Sequence, residues 1–131
     1  MTAVAESNPL VLIVEDDDAI ATALERYLQA SGYRTSRAST ARGAVDQLAS
    51  AEPDVVLTDI FLGDGNGYDV ISAARASRPE LPVIAMSGGR ADHDVLAQAA
   101  RLGADATIEK PFSYAYLVDT IDRCLEAKAS R

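Results

Sequence analysis

The whole chain holds one cysteine, Cys124, which excludes an internal disulfide and a cysteine metal cluster. The one histidine, His93, is a poor candidate for a catalytic base, and no nucleophile–base triad can be assembled around it. Bases are scarce: twelve Lys and Arg against twenty acids give a formal charge of -8. That balance argues against nonspecific binding to nucleic acid or to an anionic membrane surface. Long apolar runs are missing too. The apolar stretches are as short as Leu10 to Val14, so nothing in the sequence spans a membrane. The N-terminus lacks the basic start and long apolar stretch of a secretory signal, and the expected location is cytoplasmic. No repeat, low-complexity tract or internal linker divides the chain.

What is there fits one globular domain. The 131 residues are 48% hydrophobic and 24% charged, and folding at this size buries roughly two-thirds of the unfolded surface. The domain is expected over residues 9–127, with 1–8 and 128–131 as small, polar tails. Leu10-Val-Leu-Ile-Val14 is a continuous apolar run, the mark of a strand buried on both faces. Ile20, Leu24, Tyr27 and Leu28 then fall at helical spacing over 19–31, with Gly32 as the stop. Residues 33–38 read as a more polar edge strand, followed by a helix marked by Ala41, Ala44, Val45 and Leu48. A buried strand at 54–58, a Gly-rich turn at 63–67 and a helix at 68–77 continue the alternation. Val83 to Met86 is the fourth strand, and Val95, Leu96, Ala99 and Leu102 mark a helix that ends at Gly103. Residues 104–109 make a weakly apolar fifth strand, and Tyr114, Leu117, Val118, Ile121, Cys124 and Leu125 form the last apolar helical stripe.

Five strands alternating with five helices predict an α/β fold: a doubly wound, five-stranded parallel sheet of the flavodoxin-like (βα)5 type. With 33–38 and 104–109 as edges, the strand order is 2-1-3-4-5, and a ligand site lies beyond the carboxyl ends of the strands. That rule brings Glu15, Asp16, Asp59, Ser87 and Lys110 together. Three carboxylates at close range repel one another, and a hard divalent cation removes that cost. Mg²⁺ suits such a site, because it takes oxygen ligands octahedrally. An acidic metal site with a lysine and a hydroxyl is a receptor for a phosphoryl group. Asp59 is the expected acceptor, since a carboxylate can attack phosphorus to form an acyl phosphate.

These residues carry a resemblance. Val11-Leu-Ile-Val-Glu-Asp-Asp17, Pro53-Asp-Val-Val-Leu-Thr-Asp59, Gly67, Pro82-Val-Ile-Ala-Met-Ser87 and Lys110-Pro-Phe112 together resemble the receiver domain of two-component response regulators. The resemblance implies that Glu15 and Asp16 are the family's acidic pair and Asp59 its phosphorylated aspartate. It further implies that Ser87 and Lys110 bind the phosphoryl group, that the backbone carbonyl of Phe61 is a further Mg²⁺ ligand, and that a cis peptide at Pro111 aims the lysine inward. Two positions depart from the pattern. Gly63 stands where a proline is common, so a more flexible loop is expected there. Thr107 stands where many receivers carry Tyr or Phe, which puts the usual hydroxyl–aromatic switch in doubt and leaves Ser87 and Gly88-Gly89 to carry the movement.

Other readings compete. The loop Gly63-Asp-Gly-Asn-Gly67 is no EF-hand, because Leu62 and Ala73 stand at the first and twelfth positions, and no dinucleotide fingerprint, because Tyr68 is not glycine. Asp17 and Asp18 read as a helix start, and Cys124 as core. The expectation is a stand-alone receiver, a signalling domain and not an enzyme. It takes its phosphoryl group from a sensor histidine kinase or a histidine phosphotransfer protein. It answers through a downstream protein that reads the face of residues 91–127. The alternative is a Mg²⁺-dependent phosphatase or phosphotransferase with an aspartyl nucleophile. Such enzymes want a second acid two residues on, and here that residue is Phe61.

Overall fold

The computed structural model describes residues 8–63, 65–88 and 93–129. In chain order the elements are β1 (Leu10–Val14), α1 (Asp18–Ala30), β2 (Arg34–Ala38), α2 (Ala41–Ser50), β3 (Val55–Asp59), β4 (Phe61–Leu62), β5 (Gly65–Asn66), α3 (Gly67–Ser77), β6 (Val83–Ser87), α4 (His93–Arg101), β7 (Ala106–Glu109) and α5 (Tyr114–Ala129). Five strands form a parallel sheet in the order β2-β1-β3-β6-β7, with β4 and β5 apart as a small hairpin. Counting only the sheet strands, this is the expected 2-1-3-4-5.

Strand alternation sorts the core into two layers. Leu12, Val14, Val56, Val83 and Ala85 point to the face covered by α2, α3 and α4. Val11, Ile13, Val55, Leu57, Ile84 and Met86 point to the face covered by α1 and α5. Because both faces are dry, β1, β3 and β6 carry apolar residues on both faces, and polar residues enter only at their carboxyl ends, at Thr58, Asp59 and Ser87. The edges differ: in β2 only Ala38 is buried, and in β7 only Ile108.

Helix ends are set by local chemistry. Asp17 caps α1 by accepting from the Ile20 N–H at 3.0 Å, and Thr40 caps α2 by accepting from the Gly43 N–H at 2.9 Å. After α1, Gly32 sits at φ +99, the Gly32 N–H donates to Gln29 O and the Tyr33 N–H to Leu28 O. Gly103, at φ +117, ends α4 with the same pair of bonds, from Gly103 to Ala100 and from Ala104 to Ala99. Both are Schellman caps, and they need the left-handed conformation that glycine adopts without cost.

Two features differ from the sequence expectation. The Gly-rich turn expected at 63–67 is part of an antiparallel hairpin in which Phe61 pairs with Asn66 and Leu62 with Gly65. Pairs of residues this short carry no periodicity, so the sequence offers no signal for them. The last helix runs through Ala129, past the point where the tail was placed, because Leu125 is followed by residues that continue a helix without breaking it.

Gly67 marks where α3 leaves the hairpin. Its N–H donates to Ile60 O at 2.6 Å, and a Cβ built on it would lie 2.2 Å from Asp59 O. Both neighbours are backbone and cannot yield. Gly67→Ala is therefore expected to cost about 2–3 kcal/mol by overpacking, read as a lower urea midpoint at unchanged slope.

Candidate functional site

The parallel sheet delivers four strand ends to one place. β1 ends just before Glu15, β3 ends at Asp59, β6 ends at Ser87, and β7 ends at Glu109, one residue before Lys110. Register keeps them level: Asp59 pairs with Met86, Ser87 pairs with Glu109, and the Lys110 N–H donates to Ser87 O at 2.8 Å.

Glu15, Asp16 and Asp59 each offer a carboxylate oxygen, and these oxygens lie within 4.8 Å of one another. Glu15 is 2% exposed and Asp59 7%, whereas Asp16 is open to solvent. Lys110 Nζ donates to Asp59 Oδ2 at 3.0 Å and to Glu15 Oε1 at 3.2 Å. The other Glu15 oxygen accepts from the Asp17 N–H at 3.2 Å. Burial raises the Glu15 pKa and the charge of Asp59 adds to this, while the Asp17 N–H and Lys110 pull the other way without cancelling it. Burial alone would lower the Lys110 pKa, but its hydrogen bond to Asp59 and the charges of Asp59 and Glu15 leave it raised. The amine is thus held as a cation among carboxylates that repel each other.

Ser87 is fully buried, and among the described residues its hydroxyl has no hydrogen-bond partner. An unpaired buried hydroxyl at the end of β6, the strand beside the one that ends in Asp59, is costly unless something polar arrives there. Phe61 lies at the start of the hairpin; its N–H approaches Asp59 Oδ1 at 3.4 Å and the residue is 59% exposed. The Lys110–Pro111 peptide is cis. Thr107 is not part of the cluster. It sits on β7 opposite Ala85 and lines a cavity of about 420 Å³ with Tyr116, Thr120, Arg123 and Cys124 of α5.

Some residues have roles that the sequence reading did not assign. Gly88, expected to lend backbone freedom, also leaves space for the lysine stem: a Cβ there would lie 3.0 Å from Lys110 Cβ and 3.1 Å from its Cδ. Asp17 is the helix cap, as expected, and Asp18 pairs with Arg37 at 3.0 Å. Tyr27 and Tyr114, read only as members of apolar stripes, stack with ring centroids 4.7 Å apart at 23°. Gly89, Asp92 and the side chain of His93 lie outside the described residues.

The response regulator receiver domain family matches residues 11–122, which is most of the chain. The chain belongs to that family. It is the receiver domain of a two-component response regulator. A response regulator receiver domain protein (CheY-like) from Methanospirillum hungatei superposes with a TM-score of 0.89 at 29% identity, over 95% of this chain and 98% of that one. The DNA-binding transcriptional regulator NtrC of Rhizobium meliloti is 32% identical over 115 residues, 88% of this chain and 24% of NtrC. The response regulator SaeR of Staphylococcus aureus is 30% identical over 115 residues, 88% of this receiver and 50% of SaeR. The receiver thus spans half or less of the length of these two relatives. Among the described residues, no helix is long and apolar enough to cross a membrane.

Proposed function

We propose that this receiver accepts a phosphoryl group on Asp59 from a phosphohistidine of a sensor histidine kinase or a histidine phosphotransfer protein. The observation that carries this reading is the convergence of Glu15, Asp16 and Asp59 within 4.8 Å, with the Lys110 amine among them. Asp59 is the acceptor because β3 is the central strand. It alone has the β1 acids on one side and the Ser87 hydroxyl on the other. A carboxylate oxygen of Asp59 attacks phosphorus and forms the O–P bond of an acyl phosphate. The P–N bond to the donor imidazole breaks, and its electron pair stays on the nitrogen. The Lys110 ammonium and the Ser87 hydroxyl then take two of the phosphoryl oxygens, which gives the hydroxyl the partner it otherwise lacks.

An all-oxygen set of three carboxylates fits Mg²⁺, held by Glu15, Asp16 and Asp59, with the Phe61 carbonyl as the proposed fourth protein ligand. When bound, the ion neutralises charge on the phosphoryl oxygens. Phe61 stands two residues after Asp59 and brings no proton donor, which favours a held phosphoryl group over rapid turnover. The output we propose is protein–protein contact, in keeping with the charge of -8. The surface is that of α4, β7 and α5, where Asp94, Gln98, Arg101, Tyr116, Asp119 and Arg123 form a mixed polar face, and a cytoplasmic setting suits such a partner. Incubation with acetyl phosphate and Mg²⁺, followed by intact mass and peptide mapping, tests the acceptor. One phosphoryl group per chain on Asp59 is expected, and continuous phosphate release without an adduct would favour a phosphatase instead.

Lys110→Ala separates binding from response. Lysine is no metal ligand, so Mg²⁺ affinity should stay within a few-fold of wild type. In wild type, beryllofluoride should shift amide resonances over residues 93–127, and in Lys110→Ala that response should shrink to the residues around Asp59. The link is the amine, which ties the site to the start of the segment leading into α5. A full response in Lys110→Ala would contradict it.

A further inference from the structure

Lys110 is a flexible side chain whose job requires a fixed position. Its ion pairs with Asp59 and Glu15, at 3.0 and 3.2 Å, are the contacts that phosphorylation of Asp59 would rearrange. They cannot also be what holds the stem in place through the reaction. The Lys110 N–H bond to Ser87 O fixes the backbone, and two further contacts bear on the stem and the segment beyond it without depending on the charge of the site. Below the stem lies Gly88, in close contact with it: a Cβ would meet Lys110 Cβ at 3.0 Å and Cδ at 3.1 Å, and the stem would have to give by a few tenths of an ångström. Beyond the stem the chain runs to Tyr114, whose ring stacks on Tyr27 of α1 at 4.7 Å and 23°.

Between these two anchors Phe112 packs against the core on the α1 and α5 side, but the segment does not close fully against α1. A groove of about 430 Å³ separates it from α1, bounded by Ile20, Leu24, Pro111 and Phe112. The aromatic stack bridges the far end of that groove, and Tyr114 remains 40% exposed. The contact can therefore loosen without opening the core.

We infer that the Tyr27–Tyr114 stack is a positioning device for Lys110, pinning to α1 the segment that carries the amine while Gly88 forms the floor of its slot. The inference rests on Asp59 as the phosphoacceptor. Tyr27 and Tyr114 touch neither the acids nor the phosphoryl group; they act through Lys110. A misplacement of about 1 Å at a reacting centre can cost up to roughly a hundredfold in rate, and loosening one anchor of two should cost less, roughly tenfold.

The test is the initial rate of Asp59 phosphorylation by acetyl phosphate with saturating Mg²⁺, in the full chain. Tyr27→Ala and Tyr114→Ala should each slow it about tenfold, and Mg²⁺ affinity should be unchanged because the acid cluster is untouched. Tyr27→Phe keeps the ring and should restore the wild-type rate. Tyr27→Leu keeps apolar bulk without a ring and should be slow while still folding. In a Lys110→Ala background the same tyrosine changes should have almost no further effect, since the group they position is gone. Wild-type rates in Tyr27→Leu and Tyr114→Ala, or an equal loss with and without Lys110, would reduce the stack to a structural contact and overturn the proposal. Label mapping away from Asp59 in the wild type would instead overturn the acceptor reading, and this inference with it.

Discussion

Asp59→Asn should abolish phosphorylation by acetyl phosphate altogether while leaving the fold intact. The two side chains are nearly isosteric, so the end of β3 and its pairing with Met86 persist. The amide lacks the anionic oxygen that attacks phosphorus, and it removes one charge from a cluster whose burial already works against Glu15. Against that relief, Lys110 loses one of its two partners. Thermal unfolding should show a single cooperative transition close to that of wild type, and intact mass should show no adduct at any donor concentration. Chelating divalent cations should likewise stop labelling of the wild type. An Asp59→Asn protein still labelled, with the group mapped to Asp16 or Ser87, would refute the assignment.

Leu57→Ala is expected to give the largest loss of stability. Leu57 is fully buried at the middle of β3, the central strand of the sheet, and faces α1 and α5. Its contacts come from both neighbouring strands and both helices, so the hole left by three missing carbons has no side from which it can collapse. Such a substitution typically costs about 3–4 kcal/mol, a large share of the roughly 5–15 kcal/mol that holds a domain of this size. Urea unfolding followed by far-ultraviolet circular dichroism measures it. A loss below about 1 kcal/mol would mean that the core repacks around this position far more readily than buried Leu→Ala sites usually do. Because Asp59 is only two residues further along the same strand, the phosphorylation rate should fall in step with the folded fraction and no further.

The architecture was legible because its signals are local and redundant. The apolar runs at Leu10–Val14, Val55–Leu57 and Val83–Met86 are too uniform for a strand with a wet face, and the polar 34–38 stretch is too hydrophilic for the middle of a sheet. Once the edges are placed, parallel connections of one hand leave a single strand order, and that order puts Glu15, Asp16, Asp59, Ser87 and Lys110 at one end of the sheet. Residue type and strand position alone therefore determine which chemistry gathers there. The hairpin of β4 and β5 was not legible, since two-residue strands have no period and form only because the chain must turn back from Asp59 to start α3.

Tertiary structure alone decided the finer placement. Whether the Lys110 amine lies nearer Asp59 or Glu15 depends on where two separate strands end and on what lies beneath its stem. Gly88 matters there for the volume it leaves empty, a property of its neighbour's path and not of its own sequence context. Thr107 could be read as an unusual residue, but that it lines a cavity with α5 and stands apart from the acids follows from how that helix packs on the edge strand. Tyr27 and Tyr114 are 87 positions apart, and each carries only the ordinary mark of a helix's apolar stripe. A contact between rings on different elements leaves no periodicity in either one, so it exists only after the helices have docked.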